Sequence, residues 1–118
     1  MREAQINSKI SIMISRNGMG EGDPELTHKL LKNFLSLLSQ EERVPAYICI
    51  YADAVKFACQ HSPVADELKA LEQKGTKIII CKTCLLFYGL IDKTVTGTVG
   101  TMIDIIDIQH NSTKIINL

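Results

Sequence analysis

Apolar residues recur along this chain with two periods, and the period switches several times. Residues 9–15, KISIMIS, place Ile10, Ile12 and Ile14 at alternate positions, with apolar Met13 on the opposite side. Alternation with both sides apolar predicts a strand covered on both faces. The glycine-rich stretch RNGMGEGD follows and predicts a turn. Asp23 then offers a side-chain cap, and Pro24 suits the first helical position. Leu26, Leu30, Leu31, Phe34, Leu37 and Leu38 fall at helical spacing, which predicts an amphipathic helix over 24–39 with these six on one stripe. QEERVP is a polar connection. Residues 46–52, AYICIYA, predict a second buried strand, and DAVKFACQH a short helical piece. Ser62 and Pro63 repeat the cap-then-proline start, Val64, Leu68 and Leu71 supply a stripe, and Gly75 a left-handed stop. KIIIC predicts the third strand, KTCLLFYGL a short helix closing near Gly89, and TVTGTV a short fourth strand. TMIDIIDIQ satisfies both periods. Its place after the turn from Gly97 to Gly100 favours a helix, and KIINL closes the chain as a last strand.

Strand and helix in alternation, with strands apolar on both faces, predict an α/β fold: a three-layer sandwich around a mainly parallel sheet of about five strands. In such sheets the ligand crevice lies at the carboxyl ends of the strands. Cys81, the glycine turn and ADAVKF all fall at such ends. With 118 residues and no repeat, linker or low-complexity stretch, the chain reads as a single domain over 1–118. A hydrophobic content of 46% with mixed charge marks a folded chain rather than a disordered one. The formal net charge of +0 argues against a general nucleic-acid binder and gives little repulsion against self-association. No apolar run approaches the roughly 18 residues of a membrane span, and MREAQINSK lacks the apolar core of a secretory signal. Four cysteines without a signal point to a reducing compartment with free thiols, the cytoplasm.

The candidate chemistry is the run Cys81-Lys82-Thr83-Cys84, at the end of the third predicted strand. Thiols there lie near backbone amides that lack helical partners, and the positive end of a helix favours a thiolate. A free cysteine pKa of about 8.5 falls to about 3.5–7.5 in such settings, and only the thiolate attacks sulfur. Four readings stay open at this stage. A structural zinc site needs four ligands, and Cys49, Cys59, His28, His61 and His110 form no second pair at metal spacing, which leaves only a site shared between subunits. A thioredoxin-type pair usually comes early in the chain, and this one comes late. A sulfur carrier would use one thiol for a persulfide and the other to release it or form a disulfide. The plainest reading packs Cys84 into the core and lets Cys81 end a strand. The stretch GMGEGD could cradle an anion, but a tight turn and an Asp cap explain it, and Glu21 and Asp23 would repel phosphate. His28 and His61 read as surface or capping residues, His110 as part of a polar turn, and Asp104 with Asp107 as a solvated face.

The run CKTCLLFY, with GEGDPEL before the first helix, VKFACQHSPVADELKALEQKGTKI through the middle and TGTVGTM after it, resembles the DsrE/DsrF-like sulfur-relay family. Within it, the chain is most similar to the carboxyl-terminal domain of YedF-type selenium-metabolism proteins. That branch usually has Gly at the place of Lys82, an Asn-Ser-Gly-type turn at Ala52, Asp53 and Ala54, and Asn at Thr101. Its members usually begin with a TusA-like domain, so the chain reads as a stand-alone relative or a piece of a longer protein. The resemblance implies a sulfur or selenium relay of sulfurtransferase type. Cys81 would bear the persulfide and Cys84 would be the resolving or assisting thiol. It implies no organic cofactor and no metal, a sulfur-carrier or desulfurase partner, and a homo-oligomer. The alternative is an interaction or metal-binding module whose cysteines are structural.

Overall fold

The structure is a computed structural model that describes residues 5–118; the first four residues, part of the stretch read as lacking a secretory signal, lie outside it. Five strands pair: β1 (Gln5–Ile14), β2 (Arg43–Ile50), β3 (Lys77–Cys81), β4 (Thr98–Gly100) and β5 (Lys114–Asn117). They lie in the order β4-β3-β2-β1-β5, all parallel. Four helices connect them: α1 (Pro24–Ser39), α2 (Ala65–Gln73), α3 (Lys82–Phe87) and α4 (Met102–Asn111), with a 3-10 helix over Ala52–Ala58 between β2 and α2.

Handedness sorts the layers. The chain steps outward from β1 to β2, β3 and β4, then returns across the sheet to β5. Right-handed crossovers therefore place α1, α2 and α3 on one face and α4 on the other. The contacts agree for α1, α2 and α4. Lys32 of α1 reaches Glu67 of α2 at 3.3 Å, while Gln109 of α4 lies 3.6 Å from the Met13 sulfur. Met13, Cys49 and Ile79 share a register across β1, β2 and β3. Ile12, Ile48 and Ile78 form the neighbouring row, so by alternation they point to the opposite face. Most of these six side chains are buried and Ile79 is half-buried, so the sheet is apolar and covered on both faces.

The helix starts and stops follow local chemistry. Asp23 accepts the Glu25 amide at 2.9 Å, with Pro24 at the first position of α1. The buried line of α1 is Thr27, Leu31 and Leu35, not the six-residue stripe expected. Leu26, Leu30 and Leu37 are exposed, because a helix with leucines on more than one side buries only the line that meets the sheet. α2 begins at Ala65, later than its proline suggests: Ser62 accepts the Val64 amide and so closes a turn ahead of the helix. Val64, Leu68 and Leu71 are fully buried, as their spacing predicts. α4 is a helix, started by a capping box in which Thr101 and Asp104 exchange hydrogen bonds. It runs through His110 to Asn111, so His110 is helical and not part of a turn. Asp104 is thereby a capping residue, and Asp107 stays exposed.

Two glycines allow close approaches. At Gly18, with φ +123, a Cβ would sit 2.6 Å from the backbone of Thr27, so the glycine turn folds directly onto the first turn of α1. At Gly97, with φ +80, it would sit 2.8 Å from Ile80. The Gly97 amide and the Thr96 hydroxyl are held by the Glu72 carboxylate at 3.1 and 2.9 Å, which presses the lead into β4 against β3.

Candidate functional site

Parallel strands send their carboxyl ends to one edge, and ligand crevices form there where neighbouring connections leave to opposite faces. In this sheet the reversal falls between β3, followed by α3, and β4, followed by α4. Cys81, the last residue of β3, is the register partner of Gly100, the last residue of β4. The first predicted site residue therefore stands at the topological switch. Cys81 is also the residue before α3, and Cys84 lies in that helix's first turn. A spacing of three residues at the start of a helix keeps both sulfurs on one side.

The plainest reading keeps its ground in part: Cys81 ends β3, and Cys84 packs against the core without entering it fully. Cys81 is 2% exposed, whereas Cys84 is half-buried. Lys82 and Thr83, between them, point to solvent. Cys84 also receives the backbone N–H of Ala52 at 3.2 Å. Ala52 begins the 3-10 helix after β2 with φ +55, a left-handed conformation rare for a residue with a side chain. Such strain is of order 1–3 kcal/mol and persists only where the surroundings hold it.

The Cys84 thiol is raised above its ordinary value. Burial is the largest cause, followed by the neighbouring Cys81 thiol. The Ala52 N–H pulls the other way. The other two thiols are of a different kind. Burial pushes Cys49 up to about 12 and raises Cys59, whose sulfur donates to the Val55 carbonyl. The structure therefore brings Cys81 and Cys84 together and leaves Cys49 and Cys59 in the core.

Sequence reasoning missed Ala52. Its contact spans 32 residues of sequence and involves a backbone atom, so no side-chain motif reveals it. A faint signal existed: ADAVKF falls at the same carboxyl edge as Cys81. The histidines stand apart from the thiols. His28 bonds Asn17 at 2.7 Å and meets Phe57 edge-on, and His61 is exposed. No group of three or more His, Cys, Asp and Glu side chains suited to a metal ion occurs among the described residues.

A five-stranded parallel α/β sheet with two neighbouring thiols at its switch point defines the class of protein. The profile of the DsrE/DsrF-like family matches residues 31–118, and the chain belongs to that family. Solved structures share the fold. The YchN protein of E. coli superposes with a TM-score of 0.67 at 17% identity, over 93% of this chain and 98% of its own. MTH1491 from Methanobacterium thermoautotrophicum, described as a protein of unknown function, gives 0.63 at 16% identity over 98% and 100%. BT1422 from Bacteroides thetaiotaomicron, described likewise, gives 0.64 at 17% over 93% and 95%. No curated protein matches the chain. No helix among the described residues is long and apolar enough to cross a membrane.

Proposed function

We propose that the chain is a sulfur-relay protein of the cytoplasm, with Cys81 as the carrier and Cys84 as its assisting thiol. The observation that supports this is the place of the pair at the carboxyl ends of β3 and β4, with Cys84 held by the Ala52 amide. In the transfer, the Cys81 thiolate attacks the outer sulfur of a donor persulfide. A sulfur–sulfur bond forms on Cys81, the donor's bond breaks, and the donor leaves as a thiolate. An acceptor thiolate takes the outer sulfur by the same step in reverse. No electron is gained or lost overall, so the relay itself needs no oxidant and no organic cofactor. The thiol proton of Cys84 lies where it can stabilise negative charge on the neighbouring sulfur, and charge-assisted hydrogen bonds are roughly twice as strong as neutral ones. If no acceptor arrives, Cys84 can attack the inner sulfur of Cys81, forming a disulfide and releasing hydrosulfide. A thiol reductant then resets the pair.

Within the family we read Cys81-Lys82-Thr83-Cys84 as the mark of the YedF-type branch, which admits selenium as an alternative cargo. The donor is a desulfurase or a sulfur-carrier protein. Because Cys81 has almost no free surface, transfer requires the partner to meet the pair at Cys84 and open the site.

The test is intact mass after incubation with a cysteine desulfurase and cysteine. The native chain gains sulfur, Cys81→Ser gains none, and Cys84→Ser gains sulfur but retains it longer against an added acceptor thiol. Uptake that survives Cys81→Ser and vanishes in Cys84→Ser reverses the two roles. A native chain that gains nothing from desulfurase or polysulfide leaves the relay without support.

A further inference from the structure

The glycine turn has a residue that neither the fold nor the thiol site uses. Gly18 is explained by its contact with Thr27, but around Gly20, with φ +78, no atom lies within 4 Å of where a Cβ would stand. Gly20 instead borders a cavity of about 580 Å3, within the usual range of small-molecule sites. Its walls come from separate elements. The end of β1 and the residues after it give Ser15 and Arg16, the turn gives Met19 and Gly20, and α1 gives Leu30. The end of β5 and the residue after it give Asn117 and Leu118. It therefore opens on the same carboxyl edge as the thiols, but beyond β2 from them.

The chemistry of the lining is specific. Met19, Leu30 and Leu118 form an apolar surface, and this gives the exposed Leu30 of α1 a neighbourhood its own core does not. Arg16 is the one charged side chain in the wall. Its ion pair with Glu21 is long, 3.7 Å, between side chains 51% and 84% exposed. Pairs of that kind contribute little, so the guanidinium can exchange Glu21 for another anion. The acids that argued against an anion in the sequence, Glu21 and Asp23, do not line the cavity. A guanidinium fork matches a carboxylate in two parallel hydrogen bonds, and Ser15 and Asn117 add polar side chains to the same wall.

We propose that this cavity binds a small organic carboxylate, its acid on Arg16 and its apolar body against Met19, Leu30 and Leu118. The site is independent of the sulfur relay. The test uses the full chain, isotopically labelled, titrated in separate arms with hexanoate, hexanol and inorganic phosphate at millimolar concentration. Hexanoate shifts the amide resonances of Arg16, Gly20 and Leu118 saturably, and equally in Cys81→Ser. Arg16→Gln weakens its binding about tenfold or more without lowering the unfolding temperature, and Leu30→Glu also weakens it. Hexanol binding as well as hexanoate, phosphate competing as well as hexanoate, binding untouched by Arg16→Gln, or no saturable shift at these residues would each overturn the proposal.

Discussion

Cys49 and Cys84 are both thiols raised above their ordinary value, for reasons that give them different work. Cys84 is raised first by burial and then by its neighbour Cys81, at the carboxyl edge of the sheet. Cys49 is raised by burial alone, to about 12, and its proton is a matter of stability. An unfolded chain releases that proton near the ordinary value of 9.0, while the folded chain keeps it until about 12. The buried neutral thiol therefore contributes fully below pH 9, and its contribution is lost as pH rises toward 12. Linkage sets the slope at about 1.4 kcal/mol per pH unit for one such group. Urea unfolding of the native chain and of Cys49→Ala should thus converge in stability as pH is raised through the alkaline range. A gap between them that stays constant with pH would mean that Cys49 ionises in the folded chain as readily as in the unfolded one. At this scale the sequence was only half informative. It showed that Cys81 and Cys84 are neighbours, because a separation of three residues is local. It could not show which thiol is covered, because the cover comes from packing between distant elements.

The elements of this fold were legible where local chemistry decides them and illegible where packing does. KIIIC ends at Cys81 in both sequence and structure, since a β-branched run has little alternative. Asp23 and Pro24 mark the start of α1 for reasons contained in three residues. The face of α1 was misread because its leucines satisfy more than one stripe, and only the sheet selects among them. TMIDIIDIQ was ambiguous by period and was settled by the Thr101–Asp104 capping box, a signal as local as the one at Asp23. The junction of β1 and α1 offers a test at the same scale. Gly18→Ala forces a Cβ to within 2.6 Å of the Thr27 backbone at φ +123, and backbone cannot swing aside as a side chain can. Its cost should be at least about 2 kcal/mol, from strain and overpacking together. Gly20→Ala, two residues on, meets no atom and pays only for its positive φ, about 1 kcal/mol. Thermal unfolding of the two variants should separate them by several degrees, with Gly18→Ala the lower. Equal midpoints would show that the turn does not pack on α1 as described.

The whole molecule presents a surface that a lone copy does not explain. α3 and the residue that caps it expose Leu86, Phe87 and Tyr88, and α4 exposes Met102, Ile103 and Ile106. Phe87 is 81% exposed and Ile103 71%, far beyond the incidental exposure of single apolar residues. The two helices begin side by side, because Cys81 and Gly100 are register partners in adjoining strands. They leave to opposite faces of the sheet, so their exposed apolar side chains flank the β4 edge on both sides. β4, one edge strand of the sheet, spans only three residues and carries exposed Val99. A second copy of this chain is the occupant we propose for this surface. The net charge of +0 sets no repulsion between copies, and a closed assembly would bury the β4 edge, which otherwise invites uncontrolled pairing. Light scattering on a sizing column should give the native chain a mass that is a multiple of one copy. Phe87→Glu and Ile103→Glu should each reduce that mass to a single copy at the same protein concentration. Neither side chain belongs to the core, so far-ultraviolet circular dichroism should be unchanged. If the native chain runs as a monomer at high concentration, the surface serves the sulfur partner instead, and Phe87→Glu should then slow sulfur uptake from the desulfurase while leaving uptake from polysulfide intact.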